Sequence, residues 1–269
     1  MKRVDQQVQV ADLLAQRYAK HQRVLGIFTR AFTAQEIAQP LRCFEAARDG
    51  NTVSTILLEH DLEVAGILRG GAVVAYVRRS DLDERRCGAV ARSFGDGQLL
   101  AADASLTDVI SVLTRHDHCF VAHLDQITAV VGRDQMQSPV VRMWLFGLVT
   151  LIETDLSEHI RSRWPAEDWE KLLPPQRLQK ARELFEERRR RGQHPRLLDC
   201  LQLPDKGQLL SQDADELEAM GFPTKGAAKR AFKELESLRN NLAHAQDIVS
   251  HDWAQIARLS RRLEELATL

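Results

Sequence analysis

The chain repeats itself, and the repeat limits what its first half can fold into. Shifted by 54 residues, from Ala75 to Ala129, the run Ala75-Tyr-Val-Arg-Arg-Ser-Asp81-Leu82 falls on Ala129-Val-Val-Gly-Arg-Asp-Gln135-Met136. A strand pair belongs to each copy. Val64 to Leu68 and Ala72 to Val77 are apolar runs joined through Gly70-Gly71, a dipeptide suited to a tight hairpin. In the second copy, Phe120 to Leu124 and Ile127 to Val131 flank the turn Asp125-Gln126. Helix-start patterns precede both: Thr33-Ala-Gln-Glu36 and Ser105-Leu-Thr-Asp108 set a hydroxyl three residues before an acid. The repeat predicts two β-α-β-β-α units. Neither unit buries its sheet alone, so the two must pack on each other.

From residue 141 onward the pattern changes to helical spacing. Trp144, Leu148, Leu151 and Ile152 line one side of a helix running to about Arg163. Gln176 to Arg191 predicts another, with Leu178, Ala181, Leu184 and Phe185 inward and Gly192 as its stop. It ends in Arg188-Arg189-Arg190-Arg191, cations that the helix macrodipole favours at this end and that also suit phosphate. Leu197 to Leu203 is an apolar segment followed by Pro204-Asp205-Lys206-Gly207. The most periodic stretch, Lys225 to Ala245, sets Ala228, Ala231, Leu235, Leu238, Leu242 and Ala245 on one seam. Trp253 to Leu266 predicts a last helix, and residues 1–24 a leading one. The expected organisation is an N-terminal helix at 1–24, an α+β repeat pair at 25–140 and an all-α helical bundle at 141–269.

Composition removes several function classes. The formal net charge is -1, so any nucleic-acid contact needs a local basic patch. Cys43, Cys87, Cys119 and Cys200 form no CxxC pair, which points to a reducing compartment. The apolar run Trp144 to Ile152 is far shorter than the roughly 20 residues of a membrane span. Met1-Lys-Arg-Val-Asp leads into polar sequence without a signal core. A cytoplasmic protein is expected. The sequence has no Gly-rich phosphate loop, nucleophile elbow or H-E-x-x-H motif. His116-Asp117-His118-Cys119 and His123 carry ligand-type side chains, but strand alternation would split them between faces, so no metal is expected.

The phrase Gly71-Ala-Val-Val-Ala-Tyr-Val-Arg-Arg-Ser-Asp81-Leu82 resembles the last strand and helix start of a CBS motif. The resemblance covers about 110 to 120 residues, the size of one compact domain. It implies a CBS pair that binds adenosyl compounds between its repeats, with a Thr or Ser on phosphate and an Asp three residues later on the ribose. Here Arg78 stands at the hydroxyl position and Asp81 at the aspartate position. In the second repeat the two positions hold Gly132 and Gln135, so the second ribose-binding acid is missing. The residues present still suit a ligand: Asp81 can accept two ribose hydroxyls, and Arg78, Arg79 or Arg133 can pair with phosphate, with AMP, ADP or ATP as the regulator the resemblance implies. A purely structural dimerisation module is the other reading.

Arg239-Asn240-Asn241-Leu242-Ala243-His244 is similar to the R-x(4-6)-H signature of HEPN domains, small helical bundles that usually dimerise. Many are metal-independent ribonucleases of toxin and antiviral systems, and others only bind. The resemblance implies a catalytic set in which His244 moves a proton, Arg239 stabilises phosphate charge and Asn240 orients His244. The expected product is a 2′,3′-cyclic phosphate. At about 100° per residue, Asn240 and His244 share a helix face while Arg239 lies roughly 140° from His244. A site shared by two copies in a homodimer would reunite them. Arg188, Arg189, Arg190, Arg191 and Lys206 are the candidate RNA phosphate contacts. The combined expectation is a CBS pair whose nucleotide controls a HEPN-like endoribonuclease. The alternative is a non-catalytic nucleotide-sensing module that binds a protein or RNA partner.

Overall fold

A computed structural model of the chain describes residues 26, 27, 30–212, 214–244, 246–248, 253, 254, 256–258, 260 and 261. The helix expected over residues 1–24 and much of the one over 253–266 lie outside these. The described residues group into two units, one up to Val141 together with those from Trp253, the other Arg142–Asp252.

In the first unit the repeat is visible strand by strand. One copy contains β2 (Cys43–Glu45), α1 (Gly50–Glu59), β3 (Val64–Arg69) and β4 (Ala72–Arg78). The short helix α2 (Cys87–Val90) follows. The other copy contains β5 (Leu99–Ala101), α3 (Leu106–Leu113), β6 (His118–His123) and β7 (Gln126–Gly132). Both hairpins carry a register irregularity at matching places, Ile67/Leu68 and Val121/Ala122. Their four-residue buried runs match too, Val64 to Ile67 and His118 to Val121.

Turn chemistry separates the copies. Gly70 and Gly71 take φ of 61° and 80°, the left-handed pair that a tight hairpin requires. The second hairpin turns at Leu124 and Asp125, with φ of 48° and 61°, one residue earlier than the sequence suggests. Leu124 is 86% exposed there. A side chain in this region has a steric penalty that glycine avoids.

Helix starts also divide. Ser105 Oγ accepts from Asp108 N at 3.2 Å and donates to Asp108 Oδ2 at 2.9 Å, and Asp49 Oδ2 accepts from Thr52 N at 2.8 Å. Thr33 makes no such side-chain cap, and the Ala34–Glu36 turn after it is a single 3-10 turn.

The chain entering the first copy completes the sheet of the second. β1 (Gln39–Pro40) pairs antiparallel with β7, placing Gln39 opposite Val130. The sheets therefore run β1-β7-β6-β5 and β2-β3-β4. Pro40, which has no N–H to donate, sits at the sheet edge where proline is tolerated. Leu41, Val64, Tyr76, Phe120 and Val130 form a core drawn from both copies. Phe120 lies 4.8 Å from Tyr76 and 4.9 Å from Phe94, ring centre to ring centre. Near Trp253, the sequence assigns the last helix to the bundle, yet Arg261 Nη2 donates to Ser111 Oγ at 3.0 Å, in α3 of the repeat pair.

The second unit is helical. It takes most of α4 (Pro139–Arg163), then α5 (Pro175–Arg190), α6 (Leu203–Leu210), α7 (Ala214–Ala219) and α8 (Lys225–Ala243). Ala228, Ala231, Leu235 and Leu238 of α8 are buried, as a packed seam requires. The apolar segment Leu197 to Leu203 divides into a 3-10 turn at Leu197–Cys200 and the start of a new helix at Leu203. Pro204 does not break α6, because a first-turn N–H has no intrahelical partner to lose. Gly207 lets α6 approach α8 closely: a Cβ there would lie 2.1 Å from Phe232 Cδ2. No helix among the described residues is long and apolar enough to cross a membrane.

Candidate functional site

The repeat junction gathers charged side chains from both copies. Glu63 and Asp117 occupy matching positions, each just before the first strand of its hairpin. Asp117 Oδ2 pairs with Arg78 Nη2 of the other copy at 3.0 Å, and its Oδ1 with Arg133 Nη2 at 3.5 Å. Arg133 Nη2 also donates to Leu113 O at 3.3 Å. On the matching side, Glu63 Oε2 lies 3.2 Å from His118 Nε2. Arg78 has no counterpart in the second copy, where Gly132 stands, so the two sides differ in charge.

His118 is only 8% exposed. Burial lowers its pKa below the ordinary imidazole range, against the opposing pull of the Glu63 carboxylate. A neutral ring donating from Nε2 leaves Nδ1 as an open acceptor. His118 Nδ1, Arg78 Nε and Arg79 Nη1 are all buried without a hydrogen-bond partner among the described residues. Buried polar atoms of this kind call for a ligand, an ion or water.

The matching positions Asp81 and Gln135 behave differently in the two copies. Asp81 Oδ2 accepts from Arg92 Nε at 2.6 Å, and Oδ1 from Ser80 Oγ at 3.3 Å. The Arg92 hydrogen bond is the main reason the Asp81 carboxyl lies below its usual range. A carboxylate has about four lone-pair sites, so Asp81 retains acceptor capacity. Gln135, at the matching position, is internally satisfied: Oε1 accepts from Gly132 N and Nε2 donates to Asp134 Oδ2, both at 2.5 Å.

In the helical unit, Lys206 is buried and its Nζ donates to Glu153 Oε1 at 2.9 Å. Glu153 Oε2 also accepts from Arg239 Nη1 at 3.1 Å. Beside them, Arg177 Nε donates to the buried Asp205 at 2.7 Å. Burial raises the pKa of the Glu236 carboxyl, opposed by Arg239 and Arg177. The structure corrects the expectation for Lys206. Its ammonium is inside, neutralised by Glu153, and has no surface from which to reach RNA.

Arg239 faces this internal network, while Asn240 and His244 are exposed, His244 at the C-terminal cap of α8. A single copy of the helix therefore does not bring the three together. The arginine run of α5 is also partly engaged. Arg188 Nη1 donates to Asp199 O at 3.1 Å, Arg190 Nε to Glu186 O at 3.4 Å, and Arg191 pairs with Glu187. The Arg189 guanidinium lies 5.6 Å from the Phe185 ring centre.

Glu153 and Glu63 escape sequence reasoning. Glu153 sits one position beyond an apolar helical stripe and reads as solvated. Glu63 gives one signal, its match to Asp117 under the 54-residue shift. No group of three His, Cys, Asp or Glu side chains among the described residues is arranged to hold a metal. His118 and Cys119 are both buried, and burial pushes the Cys119 thiol up to about 12.

No protein-family model and no curated protein matches the chain. Solved CBS-domain structures do match it in part. A CBS-domain protein of Pyrobaculum aerophilum complexed with AMP is 16% identical, over 39% of this chain and 90% of that one, with a TM-score of 0.35. The CBS-pair protein CBSX2 of Arabidopsis thaliana is 13% identical, over 42% and 93%, at a TM-score of 0.36. The CBS domain of a bacterial CNNM/CorC-family Mg2+ transporter in complex with ATP is 12% identical, over 45% and 96%, at 0.37.

Proposed function

We propose that this protein is a nucleotide-sensing regulator whose repeat pair takes a phosphorylated adenosyl nucleotide at the junction between its copies. One observation carries the reading: guanidiniums from both copies, Arg78 and Arg133, converge on one carboxylate, beside buried polar atoms that lack partners. Two guanidiniums that share one carboxylate suit a phosphate, which accepts from several donors at once. Asp81 is the candidate for the ribose hydroxyls, and the helical unit is the candidate output, binding a protein or RNA partner in a homodimer.

The test is thermal unfolding with AMP, ADP and ATP. A ligand at a hundredfold excess over its Kd stabilises the folded state by about 2.7 kcal/mol. Arg78→Ala is expected to weaken binding about tenfold or more, the effect of losing a charge-assisted hydrogen bond. Absence of any nucleotide-dependent shift in the native protein overturns the reading.

A second reading concerns the helical unit, and the exposure of Asn240 and His244 favours it. Two copies placing these residues against one RNA strand would form a metal-independent ribonuclease. Incubation with single-stranded RNA and a chelator then yields 2′,3′-cyclic phosphate ends. His244→Ala is expected to slow cleavage by about 10²- to 10⁴-fold, the range of general acid–base contributions. No cleavage by the native protein, or undiminished cleavage by the variant, leaves the unit as a binding module.

A further inference from the structure

We infer that Asp117 is a built-in competitor for the nucleotide's phosphate, an internal anion that holds the site closed until phosphate replaces it. The inference rests on the nucleotide reading above and adds how occupancy is controlled.

Asp117 uses both carboxylate oxygens, one on Arg78 of the first copy and one on Arg133 of the second. A phosphate approaching the same two guanidiniums would use this arrangement. The Asp117 side chain is 49% exposed and that of Arg133 57%, so an anion from solvent can reach them. Phosphate and the Asp117 carboxylate cannot both stay there, because two anions within contact distance of the same cations repel. Binding is an exchange in which Asp117 swings out and phosphate moves in. The exchange also removes the Arg78–Asp117 contact across the copies and leaves the Glu63–His118 pair in place. Occupancy is thereby converted into a change in how the two copies hold each other. A ligand shifts such an equilibrium only through its different affinity for the two arrangements, and the exchanged ion pair supplies that difference.

The test measures the affinities of adenosine, AMP and ADP for the full-length native protein, Asp117→Asn and Asp117→Glu by calorimetry. Asp117→Ser serves as a second neutral variant should Asn not fold. The neutral variants are expected to bind AMP and ADP about fivefold more tightly, the scale of one or two half-exposed ion pairs. Adenosine affinity is expected to stay unchanged, and Asp117→Glu to retain native behaviour because it keeps the competing charge. Native-like or weaker AMP binding by a folded neutral variant overturns the inference and leaves the nucleotide reading standing. Equal tightening for adenosine also overturns it, because the gain then has nothing to do with phosphate. If neither native nor variant protein binds any of the three compounds, both the site reading and the inference fall.

Discussion

Lys206→Met is expected to destabilise the helical unit by about 3 kcal/mol, the lower end of the range for breaking a buried ion pair by removing one partner. The Lys206 side chain is 4% exposed, and its partner Glu153 is 26% exposed. Removing the ammonium leaves a largely enclosed carboxylate with Arg239 alone. That remaining contact, and partial solvation of Glu153, keep the loss from reaching the upper end of the range. Arg239→Ala should lose much less, about 1 kcal/mol or below, because the Arg239 side chain is 32% exposed and Lys206 still neutralises Glu153. Replacing both members, Lys206→Met with Glu153→Leu, should recover most of the loss, because an apolar pair avoids the desolvation of two charges. Urea unfolding followed by far-UV circular dichroism reads all four proteins. A Lys206→Met midpoint within error of the native value sinks the idea. So does a double variant less stable than the single one. The network also sets the orientation of one face of α8, because its Glu153 carboxylate holds Arg239 on the inward side while His244 remains outside.

The repeat was the most legible part of the fold, because it recurs at two levels. The 54-residue shift is visible in residue identities, and the hairpins obey it in burial and in the placement of their irregularities. Pattern alone hid the exchange of β1. Gln39–Pro40 is too short to register as a strand, and its partner β7 lies about ninety residues away, at Val130. The helix that begins at Leu203 is not marked in the pattern either, because Pro204 in its first turn follows an apolar segment that ends at the same residue. The charged cluster at the junction is legible only in part. Arg78 and Arg133 are flagged by the sequence, but Asp117 reads as one of a run of ligand-type side chains, because its partners come from distant segments. Lys206 was misplaced for a related reason. It is a candidate phosphate contact by charge alone, and the acid that neutralises it, Glu153, lies on another helix.

The exchanged strand and the shared aromatic core carry the strongest stability prediction for the repeat pair. Phe120→Ala is expected to destabilise it by about 3–5 kcal/mol, the usual range for truncating a buried Phe. Phe120 is fully buried and packs at a tilt against Tyr76 of the other copy, so the cavity opens at the junction and not within one copy. Both copies should therefore lose stability together. Hydrogen exchange read by mass spectrometry separates the alternatives. Amides of β3 and β4 should lose protection by the same free energy as those of β6 and β7, although the substitution lies only in β6. Local losses confined to the second copy would mean that the copies fold independently, despite β1 completing the sheet of its neighbour. The contrast is Leu57→Ala, in a core built from α1, β3 and β4 with Cys87 of α2, where every buried member belongs to the first copy's side. It should destabilise by a comparable amount, about 2–5 kcal/mol. If the pair is one cooperative unit, its loss too should spread to β6 and β7. Equal spreading from both substitutions is the behaviour a sensor at the junction requires, because a ligand there can inform one copy only through contacts that the other copy shares.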